Sequence, residues 1–518
     1  MHMRILAGRR AAKCLRFPII IFVLLLLAGW VVNTNAQTVT NLYIFAGQPN
    51  DGSNPHDGLV RGSDGDFYGT TSYGGTNMDG NYGCGTVFRI SPSGTYTSLY
   101  SFTGSPDGAH PGGGVVQGSD GNFYGTTYSG GTSTDSNPVC SPCQGVGTVF
   151  RVTPSGGCTI LYSFGSQPND GASPSAGLIQ GSDGWFYGTT PYGGTQGHGT
   201  VFRISASGSY TNLYSFTGGS DGAFPSAELV LGVDGNFYGT TEYGGAYSYG
   251  TVYRLTPGGG VTNLHSFGGG GPFVGDGANP IGRLVQGSDG NFYGTTISGG
   301  SRRGCIDGCG TVFRVSPSGS YTNLYSFMGN TFVSNIVVND GSEPGGGLVQ
   351  GSDGYFYGTT GEGGTSEEGT AFRISTSGSY TSLYSFVGVC CSGPNPCPGL
   401  VQGSDGSFYG TTIYGGNMSG YDGFHAGSVF KLTVPLSAAP WPINQITGVA
   451  PSGSDMVFNV DSIAYETYQL QFTTDLTSGV WSNVPGVSVT NSVGAWLTVT
   501  NFGGAVGPQG FYRFDITP

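Results

Sequence analysis

Six aspartates recur in the phrase DGxxP: Asp51, Asp107, Asp170, Asp221, Asp276 and Asp340. Gathered at one channel mouth, such carboxylates are hard oxygen ligands, and Ca2+ is the cofactor they would suit. The competing reading is a turn in which each Asp bonds its own backbone and Pro stiffens the chain beyond it. A second repeated position stands before Gly-Gly and varies: Tyr73, Ser129, Tyr192, Tyr243, Ser298, Glu362 and Tyr414. Its tyrosines, Tyr73, Tyr192, Tyr243 and Tyr414, offer an apolar ring with a polar tip, which suits stacking on a sugar. They are the best candidate for a ligand site; the competing reading is that each Tyr caps its blade against the neighbour.

A third recurring position is basic: Arg89, Arg151, Arg203, Arg254, Arg314, Arg373 and Lys431. A symmetric position usually serves a symmetric need, so an ion pair between units or a backbone hydrogen bond is expected in preference to an anion-binding ring. Cysteine chemistry reads as structural. Cys140, Cys143, Cys305, Cys309, Cys84, Cys390, Cys391 and Cys397 are disulfide candidates with open connectivity, and Cys158 is the expected spare thiol. No HExxH motif is present, no carboxylate pair stands out, and no residue is assigned a catalytic role.

The elements that would hold these residues are written in a repeat. FYGTT begins at Phe67, Phe123, Phe186, Phe237, Phe292, Phe356 and Phe408. Each unit carries four short strand-like runs, here a to d: GLVQG, FYGTT, GTVFRI and YTNLYSF. Asp-Gly turns join a to b, and Ser-Pro-Ser-Gly or a variant joins c to d. These joints keep constant lengths. The b–c connection varies, with 18, 24 and 13 residues separating Phe67 from Gly85, Phe123 from Gly147 and Phe186 from Gly199. In an up-and-down blade all the variation then falls on one face, where binding loops belong. The chain after residue 37 opens on an orphan strand d, TVTNLYIF, and the last unit stops after strand c, GSVFKLT at 427–433. The orphan should complete the last unit and close a seven-bladed β-propeller over residues 37–435, leaving no free edge.

At GLVQGSDGNFYGTT…GTVFRISPSGSYTNLYSF the chain resembles the secreted bacterial tandem-repeat proteins called GloVer, or "choice-of-anchor", repeats. The resemblance covers roughly residues 38–433. It implies an extracellular protein and brings no catalytic residues with it.

The flanks read differently. Residues 1–36 form a basic start, a 16-residue apolar run (17–32) and the small-residue site ending at Ala36, the order of a signal peptide. Its removal leaves 12 of the 17 basic residues against 30 acids, a formal charge of −18. That balance opposes nucleic acid and anionic membranes as partners. No further membrane span is expected, so a secreted or cell-surface monomer follows. After a linker at 436–440, residues 441–518 hold strand-like runs such as YQLQFTT and FYRFDIT, enough for a small β-sandwich that resembles fibronectin-like modules. The expected function is non-catalytic binding of a glycan or cell-surface ligand through the variable loops. A polysaccharide lyase or hydrolase, or a structural adhesin, are the alternatives.

Overall fold

The computed structural model describes residues 37–434, apart from positions 48 and 50 and the loop stretches 78–81, 134–144, 269–274, 301–304, 334–335, 388–395, 397–398 and 416–425. Beyond these it describes the backbone of six strands between 446 and 517. Segments 1–36 and 435–445 lie outside the described residues.

Seven antiparallel four-stranded sheets form a seven-bladed β-propeller. In blade 1 the strands are a (Val60–Arg61), b (Phe67–Thr71), c (Thr86–Ile90) and d (Tyr96–Ser101). Blades 2 to 6 repeat this order. Blade 7 takes a, b and c from Val401–Gln402, Phe408–Thr412 and Ser428–Thr433, and its d strand is the amino-terminal Thr38–Ile44. That strand pairs antiparallel with strand c, Thr38 opposite Thr433 and Ile44 opposite Ser428, so the ring closes as the orphan strand required. Every c–d pair carries a β-bulge, which adds twist to the outer edge.

Each letter of FYGTT has a separate duty. The Tyr ring stacks on the Phe of the next blade: Tyr68 on Phe123, then Tyr124–Phe186, Tyr187–Phe237, Tyr238–Phe292, Tyr293–Phe356 and Tyr357–Phe408, and finally Tyr409 on Phe67. The Tyr hydroxyl donates to the Asp of its own a–b turn at 2.7–2.9 Å in all seven blades. In that turn only the glycine is left-handed, as at Gly121 (φ 80°), which leaves the Asp side chain free to accept. The Gly of FYGTT makes room for strand c: a Cβ on Gly125 would stand 2.6 Å from Phe150 Cζ. In five blades the first Thr latches onto the following blade, as Thr126 Oγ1 donates to Ala176 O at 2.8 Å, whereas Thr240 of blade 4 finds no partner among the described residues. The second Thr meets the Thr of strand c, Thr127 Oγ1 to Thr148 Oγ1 at 2.8 Å.

A second aromatic ring lies further out. The Phe ending each strand d packs edge-on against the strand-c ring of the next blade, from Phe102 on Phe150 around to Phe45 on Phe88. Each aromatic pair contributes about 0.5–1.5 kcal/mol beyond its burial, so the two rings of contacts together bind every blade to its neighbours.

In the carboxyl-terminal segment six strands form two antiparallel three-stranded sheets. One orders Ile446–Ser452, Asp455–Ser462 and Ala495–Asn501; the other orders Ser482–Thr490, Thr467–Thr473 and Phe511–Thr517.

Candidate functional site

The b–c loops and d–a links share one face because they are hydrogen-bonded to each other. In blade 1 Gly52–Ser53 pairs with Tyr73–Gly74, and in blade 3 Gly171–Ala172 pairs with Tyr192–Gly193. Blades 2, 4 and 6 make the same link through single bridges, such as Ala223 with Tyr243. These small sheets tilt the d–a link toward the axis, where the chain enters strand a. Around the axis on this face lies a cavity of about 930 Å³, within the range of small-molecule sites.

The throat of the cavity is where sevenfold symmetry fails. The residue two before the first residue of strand a (Val, or Ile179 in blade 3) is Gly58, Gly114, Gly177, Glu228, Arg283, Gly347 and Gly399 in blades 1 to 7. Glycine suits the narrow bore: a Cβ on Gly58 would stand 2.9 Å from Gly399 O. Blades 4 and 5 replace it with a charged pair, Arg283 Nη1 standing 3.4 Å from Glu228 Oε2. The Arg283 stem passes over Gly347, whose Cβ it would strike at 2.4 Å. Asp57 of blade 1 joins them. Its carboxylate accepts from Gly58 N at 2.6 Å and from Gly114 N at 2.5 Å, and its carbonyl accepts from Thr411 Oγ1 at 3.0 Å. One residue thereby ties blades 7, 1 and 2 together at the axis.

Burial pushes the Glu228 carboxyl up to about 7; Arg283 pulls it down, and the charge of Asp57 raises it again. Burial likewise holds Asp57 above its usual range, against the two amide donors and Arg283. The throat therefore holds a proton near neutrality.

The rim above blades 3 and 4 is aromatic. Phe224 stands edge-on to Tyr192 at 5.5 Å and to Tyr243 at 5.6 Å. It occupies the third position after the DGxxP aspartate, where Asn54, His110, Ser173, Asn279 and Glu343 stand in other blades, all left-handed (φ 53–57°). A bulky residue is strained there. It is pinned by hydrogen bonds from Phe224 N to His198 O and from Glu242 N to Phe224 O, both 3.0 Å. Glu242 lies beside Tyr243 and, by hydrogen bonding and charge, raises the pKa of that hydroxyl.

The Gloeobacter/Verrucomicrobia repeat family matches residues 28–137, 140–337 and 274–438. This chain belongs to that family. Among solved structures it is similar to virginiamycin B lyase of Staphylococcus aureus (14% identity over 77% of this chain and 99% of that one, TM-score 0.47). It is also similar to a fungal alcohol oxidase of the AA5 family (13% identity, 93% and 96% covered, TM-score 0.49) and to a gluconolactonase of Xanthomonas campestris (12% identity, 77% and 90% covered, TM-score 0.37). These likenesses are too distant to carry chemistry across. No curated protein matches the sequence.

Within this member of the repeat family, the residues singled out from sequence fall in different places. Tyr73, Tyr192 and Tyr243 line the cavity, whereas Tyr414 does not. The six DGxxP aspartates stay apart, one per blade, each bound to its own surroundings. Asp51 accepts from Tyr43 Oη, Ala46 N and Gly52 N at 2.7–2.8 Å. Asp107, Asp170, Asp221 and Asp340 accept from the strand-d Tyr in the same way, and Asp276 meets His265 at 3.2 Å. Where the strand-c bases make ion pairs, the partner is in their own blade: Arg89 with Asp66 and Lys431 with Asp405. The expectation of a bond between blades is thus corrected, because Tyr–Phe stacking already fills the gap. Cys305 and Cys309 form a disulfide in the blade-5 b–c loop, and Cys158 carries a free thiol. Cys84 is buried ahead of strand c in blade 1. Cys140, Cys143, Cys390, Cys391 and Cys397 lie outside the described residues.

Sequence reasoning missed Asp57, Glu228, Arg283, Phe224 and Glu242. The available signal was departure from the phrase. Glu228 and Arg283 interrupt GLV, and the residue directly after FYGTT runs Ser72, Tyr128, Pro191, Glu242, Ile297, Gly361 and Ile413. Six of those seven line the cavity.

Proposed function

We propose that this protein is a secreted, non-catalytic binding protein whose ligand, a glycan, seats in the axial cavity of the propeller. One observation carries the reading: charged, half-buried side chains stand at positions the repeat reserves for glycine, at the bottom of a cavity rimmed by exposed aromatics. A scaffold alone has no use for Glu228 and Arg283, since Gly at the same position serves the other five blades. Carboxylates can accept hydroxyl hydrogen bonds while Tyr192 and Tyr243, 43% and 45% exposed, stack on a ring face. The basic, apolar leader and the Cys305–Cys309 bridge support an oxidising, extracellular setting.

A glycan array, repeated with single alanine variants, tests this. Tyr192→Ala and Tyr243→Ala should each weaken the signal about tenfold, a stacking contribution on the order of 1.4 kcal/mol. Tyr414→Ala should leave it unchanged. Equal signals from all three variants would remove the cavity as the site.

A second reading is favoured by Glu228. A carboxyl held at about 7 beside a second acid suits a general acid, so the same cavity could cleave a polysaccharide. Release of reducing ends or unsaturated products, abolished in Glu228→Gln, would establish that activity in place of simple binding.

A further inference from the structure

We infer that the Glu228–Arg283 pair at the floor of the axial cavity reads a vicinal diol, so that the protein recognises the non-reducing ends of neutral glycans rather than their inner stretches. This rests on the glycan reading above and names the part of the sugar chain that is bound.

The first observation is what the pair leaves unspent. Arg283 Nη1 stands 3.4 Å from Glu228 Oε2, and among the described residues no other hydrogen bond engages either side chain. A guanidinium carries five N–H donors, and a carboxyl group offers two oxygens. Asp57 beside them is already satisfied: Oδ1 accepts from Gly58 N and Oδ2 from Gly114 N. Groups with donors and acceptors to spare, facing a cavity, gain from a guest that supplies the missing partners. The pair is matched in charge, so an ionic guest of either sign would meet its like as well as its opposite. Adjacent hydroxyls on a pyranose ring are each donor and acceptor and stand about a hydrogen-bond length apart. One can accept from Arg283 while the other donates to Glu228. Glu228 titrates at about 7, and a hydroxyl pairs with it in either form.

The second observation is the closed floor. The seven throat residues follow one another in contact around the axis. A Cβ on Gly58 would stand 2.9 Å from Gly399 O, one on Gly114 3.2 Å from Gly58 O, and one on Gly177 3.3 Å from Gly114 O and 3.6 Å from Glu228 Cδ. The Arg283 stem covers Gly347, and a Cβ on Gly399 would stand 3.3 Å from Gly347 O. Five members of this ring are glycine, so Glu228 and Arg283 are its only side chains, and both line the cavity. The lining ends at the first residues of strand a, such as Val60 and Val116, and takes in no described residue of the a–b turns on the opposite face. A glycan enters from the loop face and cannot thread through, so what meets the pair is a chain end. The residues behind it pass the rim, where Tyr192 and Tyr243 are exposed for stacking. The non-reducing residue is joined through its anomeric carbon alone, so its vicinal hydroxyls survive whatever the linkage of the chain.

Binding of the full-length protein to immobilised oligosaccharides tests this. The probes are maltohexaose, cellohexaose, laminarihexaose and mannohexaose, coupled through their reducing ends. Each stands beside a copy whose terminal residue lacks the hydroxyls at C3 and C4. At least one native hexamer should bind, and its deoxygenated copy should bind about tenfold or more weakly. Giving the throat the residue that the other five blades carry, Glu228→Gly with Arg283→Gly, should bring the two copies to within about twofold of each other. The comparison of copies on the unaltered protein needs no variant and stands if the double substitution impairs folding. Equal binding of native and deoxygenated copies would overturn the diol inference and leave the glycan reading intact. Binding to none of the hexamers would overturn both. A terminal glucuronate or glucosamine that raises binding about tenfold over the neutral end would make the throat a reader of charge and overturn the neutral class.

Discussion

Glu228 makes the throat sensitive to pH, and the sign follows from its environment. Its carboxyl stands at about 7 in the fold, above the ordinary 4.5, so the folded protein takes up a proton that the unfolded chain has released between those values. Stability from this group is full below pH 4.5 and is lost as pH rises to about 7. Glu228→Gln should therefore flatten the profile. Relative to its effect at about pH 5, the substitution should stabilise the protein by ~1–3 kcal/mol at about pH 8, read from urea denaturation at the two values. A constant offset at both pH values would mean that Glu228 titrates normally. Asp57 is shifted in the same direction by its burial, so some slope should survive the substitution.

Among the elements, strand b is the unit on which the blades depend. Gly125→Ala would set a methyl 2.6 Å from Phe150 Cζ, between a strand-c ring and the stack that joins blade 2 to blade 3. Overpacking of this kind costs about 1–3 kcal/mol, and a fall of that size in chemical denaturation is expected; no change would mean that the Phe150 ring turns aside freely. The strands themselves were plain in the sequence, because Asp-Gly turns and alternating apolar residues are local signals that the repeat writes seven times. What lay hidden was tertiary. Nothing near Asp107 in sequence says that its carboxylate will be met by Tyr100 Oη at 2.5 Å, since the bulged return of strand d brings them together. Aligning the repeats drew attention to what recurs, whereas the throat consists of what does not: Glu228 and Arg283 sit inside a phrase that the eye completes as GLV. Tyr73, Tyr192 and Tyr243 were legible because their position varies openly, one residue beyond a constant motif.

At the scale of the whole molecule, closure depends on Thr38–Ile44 pairing with Ser428–Thr433. Removing residues 37–45 would bare the strand-c edge of blade 7 and take Phe45 from its contact with Phe88. An open edge of this kind templates association. The shortened chain should run as oligomers in size-exclusion chromatography, and a synthetic peptide of residues 37–47 added in trans should restore the monomeric peak. A shortened chain that stays monomeric without the peptide would show the other six blades to be self-sufficient. The same pairing imposes an order of events. Synthesis delivers the amino end first, so residues 38–44 wait for a partner that begins at residue 428, near the end of the repeat segment. Until that partner arrives the nascent body is a spiral with two sticky ends, and neighbouring copies on one messenger could exchange them. A ribosome that stalls anywhere before blade 7 therefore releases a product with an unpaired edge like that of the chain lacking residues 37–45.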